Sequence, residues 1–241
     1  MANANPGPRL ALLIDADNAN PNRLPLLLAE IAKYGNASVR RAYGNWTSGA
    51  LSGWKVGLLS HSIQPIQQFN YTSGKNATDS ALIIDAMDLL YAGHLDGFCI
   101  VSSDSDFTRL AARIREQGLT VYGFGERKTP QAFVAACDKF VYTENLDDPT
   151  QGSDPTAPQK LKRDKALDRL LKKAVDGAAD DAGWAHLGAV GNNLIRLASD
   201  FDARTYGFSK LKDLMAAHPQ YEVEVRAGSD GKPNAVFVRR N

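Results

Sequence analysis

The run Phe98-Cys99-Ile100-Val101-Ser102-Ser103-Asp104-Ser105-Asp106-Phe107 decides the fold. A short apolar stretch without polar alternation reads as a strand buried on both faces, the kind found at the centre of a parallel sheet. It stops abruptly at two carboxylates separated by one residue. Near the start of the chain, Leu10-Ala11-Leu12-Leu13-Ile14-Asp15-Ala16-Asp17-Asn18 repeats the pattern. In an open α/β sheet, functional groups gather beyond the carboxyl ends of parallel strands. Two strands that each end in Asp-x-Asp therefore direct four carboxylates toward one crevice. Such a concentration of like charge calls for protons or a cation.

The flanking sequence supplies the rest of such a sheet. Leu24, Leu27, Leu28 and Ile31 recur at helical spacing after Pro21 and Pro25, and Gly35 is the expected helix stop. Strands are expected at 37–43, near 62–66, at 98–102, at 119–124 and at 139–143. Between them fall helices at 49–59, from Thr78 as N-cap to Tyr91, at 107–117 with Gly118 as stop, and at 131–136. A polar loop with two aromatics, Phe69 and Tyr71, precedes Thr78. Strands alternating with helices give a mostly parallel sheet covered on both faces, and right-handed crossovers place the loops after the strands along one edge.

Residues 147–158 hold prolines, Gly, Ser, Thr and acids with no apolar periodicity, which reads as a linker. Beyond it come an amphipathic helix carrying Leu161, Leu167, Leu170, Leu171, Ala174 and Val175, a short apolar segment at 184–187 and a second helix entered by 187–196. A third helix is expected at 209–217. Two alternating strands, 221–226 and 235–239, flank the turn Gly228-Ser229-Asp230-Gly231. Three helices followed by a hairpin are the plan of a winged helix.

At 241 residues the chain has room for two domains, and no apolar run reaches membrane-span length. Met1 to Pro8 shows no charged and then apolar secretory pattern. Cys99 and Cys137 are the only cysteines, too few for a disulfide framework and without zinc spacing. A cytoplasmic protein without a membrane partner is expected. Charge is uneven: 13 Lys and Arg stand against 16 Asp and Glu up to Gln159, and 15 against 11 from Lys160 onward. An acidic part followed by a basic part suits a cation-holding site with an appended binder of polyanions.

Asp15, Asp79, Asp104 and Asp106 are the principal site candidates. Asp79 belongs to the first turn of its helix and can point into the crevice. Asp85 lies six residues further on, roughly 120° around the helix, and is a secondary candidate that either flanks the site or pairs elsewhere. Asn18 and Ser103 can complete the site through hydrogen bonds to water or phosphate, Asp17 is a secondary candidate among the acids, and Lys75 can contact the substrate backbone. An Asp after a strand is also an ordinary helix N-cap, and that reading stays open for Asp17 and Asp106. Oxygen donors without His or Cys favour Mg²⁺ or Mn²⁺. Asp15-x-Asp17 superficially matches the nucleophile motif of haloacid-dehalogenase-type phosphatases, but Ala19 stands where that motif expects Thr or Val. No P-loop occurs, and Gly123-Phe124-Gly125 lacks the third glycine of a dinucleotide fingerprint.

Three segments together resemble the motifs of NYN domains, in the PIN-like nuclease superfamily. They are Leu12-Leu13-Ile14-Asp15-Ala16-Asp17-Asn18, Asn76-Ala77-Thr78-Asp79-Ser80-Ala81-Leu82-Ile83-Ile84-Asp85 and Val101-Ser102-Ser103-Asp104-Ser105-Asp106-Phe107. The resemblance implies a Rossmann-like three-layer α/β/α fold and metal-dependent hydrolysis of RNA phosphodiester bonds, with the family's acids at Asp15, Asp79, Asp104 and Asp106. Ser103 replaces a usual glycine, and Lys75-Asn76-Ala77-Thr78 replaces the usual Lys-Gly followed by an apolar residue.

Residues Leu187-Gly188-Ala189-Val190-Gly191 and Phe201 to Leu211 resemble a LOTUS (OST-HTH) domain, which implies a winged-helix module that binds RNA or protein. Arg196, Arg204, Lys210 and Lys212 are candidate phosphate contacts, and Tyr206 either stacks on a base or belongs to the core. The expected organisation is a flexible terminus 1–8, a nuclease domain 9–147, a linker 148–160 and a winged helix 161–241. The expected function is a Mg²⁺- or Mn²⁺-dependent ribonuclease, an endonuclease, acting on single-stranded or structured RNA. The C-terminal domain is also open to a protein partner. The alternatives are a catalytically silent RNA-binding adaptor and a nuclease acting on DNA or flaps.

Overall fold

The strand β1, Arg9–Asp15, is buried along all but its first residue and lies at the centre of the first sheet. In the computed structural model, residues 7–47, 49–69, 77–147, 164–227 and 234–241 are described. Lys75, the turn at 228–231, the linker expected at 148–160 and the first six residues lie outside them. The chain divides into two compact units, Met1–Asp147 and Asp148–Asn241.

In the first unit β1 is followed by a 3₁₀ turn Pro21–Arg23 and α1, Leu24–Ile31. Next come β2 (Asn36–Gly44), a 3₁₀ turn Gly49–Trp54, α2 (Lys55–Ser60), β3 (Gln64–Gln67) and α3 (Ala77–Ala92). Then follow β4 (Gly97–Val101), a 3₁₀ turn Ser105–Phe107, α4 (Thr108–Glu116), β5 (Thr120–Gly125), α5 (Gln131–Ala136) and β6 (Lys139–Tyr142). The sheet order is β3-β2-β1-β4-β5-β6, and every pairing is parallel.

Alternation along β1 builds the layers, because successive side chains point to opposite faces. Leu10, Leu12 and Ile14 pack with Leu24, Leu27 and Ile31 of α1, and with Trp54 and Leu58. Ala11 and Leu13 pack on the other face with Leu82, Ala86 and Leu90 of α3, with Leu110, Ala111 and Ile114 of α4, and with Phe133 and Val134 of α5. The domain is a three-layer α/β/α sandwich. The chain turns back between β1 and β4, the switch point at which an open sheet forms its crevice.

Two local expectations change. Gly118 has φ +77 and ends α4 as a left-handed stop, but Gly35 does not act this way. A Cβ on Gly35 would sit 2.4 Å from the Pro8 carbonyl oxygen, so close approach to the start of β1 demands glycine there. Thr78 lies within α3 and is not its N-cap; its hydroxyl donates to Asp17 Oδ2 at 2.9 Å.

The second unit contains α6 (Lys165–Asp176), β7 (Trp184–His186), α7 (Leu187–Leu197), α8 (Leu211–Ala217), β8 (Tyr221–Arg226) and β9 (Ala235–Arg240). Asp164 caps α6 by accepting from the Ala166 and Leu167 amides. The strands form an antiparallel sheet ordered β7-β9-β8. Leu167, Leu171, Val190, Leu194, Leu214, Met215 and Val238 make the core. Three helices on a three-stranded sheet are a winged-helix arrangement.

Candidate metal centre

Asp15 ends β1 with no exposed surface. Its Oδ2 accepts from Asn18 Nδ2 at 2.8 Å and from the Ser102 hydroxyl at 2.7 Å, and its Oδ1 is buried with no hydrogen-bond partner among the described residues. Burial pushes its carboxyl pKa up, and the bonds from Ser102 and Asn18 oppose that. An orphaned, fully desolvated carboxylate oxygen is costly unless something positive meets it.

Ser102 follows β4 and continues the ladder by donating its amide to the Phe124 carbonyl at 3.0 Å. Its side chain therefore stays inside, 2% exposed, where the hydroxyl also accepts from the Asp104 amide at 3.1 Å. One serine thus ties the acid that ends β1 to the acid after β4. Asp104 then caps the turn Ser105–Phe107, its Oδ1 accepting from the Asp106 amide at 2.9 Å. The capping role that the sequence left open for Asp106 belongs to Asp104, while Asp106 sits exposed in the first turn.

The first turn of α3 brings Asp79, 8% exposed, toward these groups. Asp79, Asp104 and Asp106 each offer a carboxylate oxygen, and these oxygens lie within 4.8 Å of one another. Burial raises the Asp79 pKa to about 6, helped by the negative charges of Asp15, Asp104, Asp106 and Asp17. The three gathered oxygens, all hard ligands, fit a divalent cation of the Mg²⁺ or Mn²⁺ kind, while Asp15, also expected as a ligand, lies outside that group of three, buried at the end of β1.

The remaining sequence candidates fall in different places. Asp17 is no helix cap: Asn20 caps the following turn, and Asp17 accepts from Thr78. Asn18 holds Asp15. Ser103 turns away from the acids, its Oγ accepting from the Glu126 amide at 2.9 Å. Sequence reasoning chose Ser103 and missed Ser102; only the strand register separates two adjacent serines. Asp85 does not flank the site. It accepts from Arg41 and from the Tyr43 hydroxyl, clamping α3 to β2 and pushing the Tyr43 phenol pKa far upward, with burial as the larger cause.

In the second unit, Arg196, Lys210 and Lys212 are exposed. Arg204 is held by Asp202, with Nη2 2.6 Å and Nε 2.9 Å from Oδ2, and so serves the fold first. Tyr206 is half-buried against the core beside Phe201, ring centroids 6.2 Å apart, which favours the core reading over a stacking platform. Arg226 and Arg239 lie over the Trp184 ring at 4.8 and 4.7 Å. Among the described residues no helix is long and apolar enough to cross a membrane.

Comparison with known proteins places these features. A protein of unknown function from Vibrio parahaemolyticus shares 18% identity over 58% of this chain and 96% of its own, with a TM-score of 0.48. An uncharacterized protein from Nitrosomonas europaea shares 38% identity over 30% of this chain and 70% of its own, with a TM-score of 0.28. No curated protein matches the chain. The family model for the NYN domain matches residues 9–147, and that for the OST-HTH/LOTUS domain matches residues 160–233. The chain therefore belongs to the NYN-domain family, PIN-like in fold, and carries an OST-HTH/LOTUS domain after the NYN domain.

Proposed function

We propose that the protein is a divalent-metal-dependent ribonuclease that cuts RNA internally, with its nuclease domain at 9–147 and its RNA-binding winged helix at 161–241. The observation that carries this reading is the gathering of Asp79, Asp104 and Asp106 oxygens within 4.8 Å of one another, with the buried Asp15 close enough for its charge to raise the Asp79 pKa. A Mg²⁺ or Mn²⁺ ion held there would supply positive charge to a phosphoryl oxygen and lower the pKa of a bound water.

The chain's own groups do the rest. Asp79, Asp104 and Asp106 would hold the ion, and the buried Asp15 at the end of β1 would add its negative charge nearby. Asn18 and Ser102 fix the Asp15 carboxylate through its Oδ2. Asp106, the most exposed of the acids, orients the attacking water. Arg196, Lys210 and Lys212 offer charge to RNA phosphates, which gives the second domain a sequence-independent grip.

Single-stranded RNA, duplex RNA and DNA, each incubated with Mn²⁺, Mg²⁺ or EDTA, test the proposal. Cleavage of single-stranded RNA by the wild type with metal, lost in EDTA and in Asp104→Asn, is expected. Absence of metal-dependent cleavage of any substrate overturns it, and full activity of Asp104→Asn overturns the site assignment. Preferential cleavage of DNA would replace the substrate.

A further inference from the structure

An RNA strand brought to Asp15, Asp79, Asp104 and Asp106 meets a concentration of negative charge, so its phosphates need cations beside the acids. Arg23, Arg109, Arg127 and Lys128 follow β1, β4 and β5 on that edge of the sheet. Most of them are already engaged. Arg23 donates to the Thr143 carbonyl at 2.5 Å and to both Asp147 oxygens at 2.9 Å. Lys128 lies 2.8 Å from Glu126. Arg127 donates to Asn145 Oδ1 at 2.9 Å, with its guanidinium carbon 5.4 Å from the centre of the Tyr142 ring. Arg109 differs: it is exposed, and among the described residues it has no hydrogen bond and no ion pair.

The helical chain is continuous from the acids into α4. Asp104 caps the turn Ser105–Phe107, the Thr108 amide donates to the Ser105 carbonyl, and Phe107 and Thr108 both have right-handed helical backbone. Asp106 and Arg109, three residues apart in it, lie one turn apart on one side. Leu110, Ala111 and Ile114 are the buried residues of α4. Asp106, Arg109 and Arg113 therefore share its outer side, with Arg113 about 6 Å further along the axis than Arg109. Arg113 is held in place, its Nη2 donating to the Tyr91 hydroxyl at 3.0 Å and its Nη1 to Glu116 Oε2 at 3.2 Å, and it keeps N–H donors beyond those two. A cation in the first turn of a helix opposes the positive end of the helix dipole, so neither packing nor the dipole accounts for an arginine at 109.

We propose that Arg109 is a substrate-binding residue that grips one RNA phosphate beside the bond being cut, and that the strand continues along the outer side of α4 to Arg113. A guanidinium presents paired N–H donors that match two phosphate oxygens, which a lysine cannot do. The step from Arg109 to Arg113 is on the scale of the spacing between successive phosphates of an extended single strand. Contacts to phosphates fix the register of the strand and read no sequence. The inference rests on the nuclease reading for the neighbouring scissile bond, while the phosphate contact itself needs no cleavage.

The test walks one neutral methylphosphonate along a short single-stranded RNA, with the nucleotide that carries it 2′-O-methylated. Binding to the full chain is measured by fluorescence anisotropy in EDTA, so that no cutting occurs. Neutralising the phosphate that Arg109 grips is expected to weaken wild-type binding about tenfold. Arg109→Ala, a change that suits a helix, is indifferent to the methylphosphonate at that position. Arg113→Ala removes the effect at the neighbouring phosphate. Arg115→Ala, which removes contacts to Asp138 and to the Ala136 carbonyl on another side of α4, changes no position. If no position loses its effect in Arg109→Ala, or if Arg115→Ala abolishes the same effect, the contact is refuted whether or not the RNA is cut. An Arg109-dependent position without Mn²⁺-dependent cleavage of the unmodified strand leaves the contact standing and overturns the nuclease reading instead.

Discussion

Replacing Ser102 by alanine removes a hydroxyl that touches two acid-bearing segments at once. It donates to Asp15 Oδ2 at 2.7 Å and accepts from the Asp104 amide at 3.1 Å, in a position 2% exposed. A buried bond to a carboxylate contributes about 1.5–3 kcal/mol and a neutral one about 0.5–1.5 kcal/mol, so Ser102→Ala costs about 2–4 kcal/mol. Ser103→Ala loses one neutral bond, to the Glu126 amide, and costs about 1 kcal/mol. The Ser102 bond is also the largest influence holding the Asp15 pKa down, so its loss raises that pKa further. The assay is amide exchange at Leu12 and Leu13 of β1, in EDTA, which reports opening of this unit alone. A Ser102→Ala protein within about 0.5 kcal/mol of wild type, or one more stable than Ser103→Ala, would refute the tie between the two acids.

Three further outcomes are expected. Because the Asp79 pKa is raised from 3.8 to about 6, the folded metal-free protein holds a proton there that the unfolded chain has lost. Its stabilising contribution is complete below pH 3.8 and gone above about 6, up to about 3 kcal/mol, and urea titrations show a pH dependence that is smaller by that amount in Asp79→Asn than in the wild type. The same proton competes with metal, so calorimetric Mn²⁺ affinity falls about tenfold between pH 7 and pH 5, and at pH 5 the binding heat varies linearly with buffer ionisation enthalpy, the slope counting the released proton. Asp85→Ala strips Arg41 and Tyr43 of their common partner and destabilises the NYN unit by about 3–5 kcal/mol in denaturant melts. Substituting Arg196, Lys210 and Lys212 together by alanine weakens RNA binding and reduces the slope of log affinity against log salt by about 2, whereas Arg204→Ala lowers the stability of its own unit.

Strand positions were legible because buried parallel strands leave unbroken apolar runs: Leu10 to Ile14 and Phe98 to Val101 hold no polar residue. The convergence of acids was legible for the same reason, since strand ends on one sheet edge meet. What the chain hid depends on register and on groups distant in sequence. Ser102 and Ser103 look alike until the ladder bond to Phe124 turns one inward. Asp104 rather than Asp106 caps the turn because a β-region backbone at Asp104 aims its oxygen at the Asp106 amide. Asp85 reads as a spare acid until β2 brings Arg41 and Tyr43 beneath α3. Asn45 and Gln67 are 22 residues apart and meet only through the pairing of Gly44 with Gln67. The basic C-terminal part suggested a polyanion binder, yet Arg204 spends its charge on Asp202, and charge counting cannot separate such a residue from exposed Lys210 and Lys212.

The most direct measurement is an anomalous difference map from crystals soaked in Mn²⁺. The expected result is a peak within about 2.5 Å of carboxylate oxygens of Asp79, Asp104 and Asp106, and no peak in Asp79→Asn crystals. A soaked crystal with no peak among these acids, or a peak that persists undiminished in Asp79→Asn, would contradict the assignment of this crevice as the metal centre.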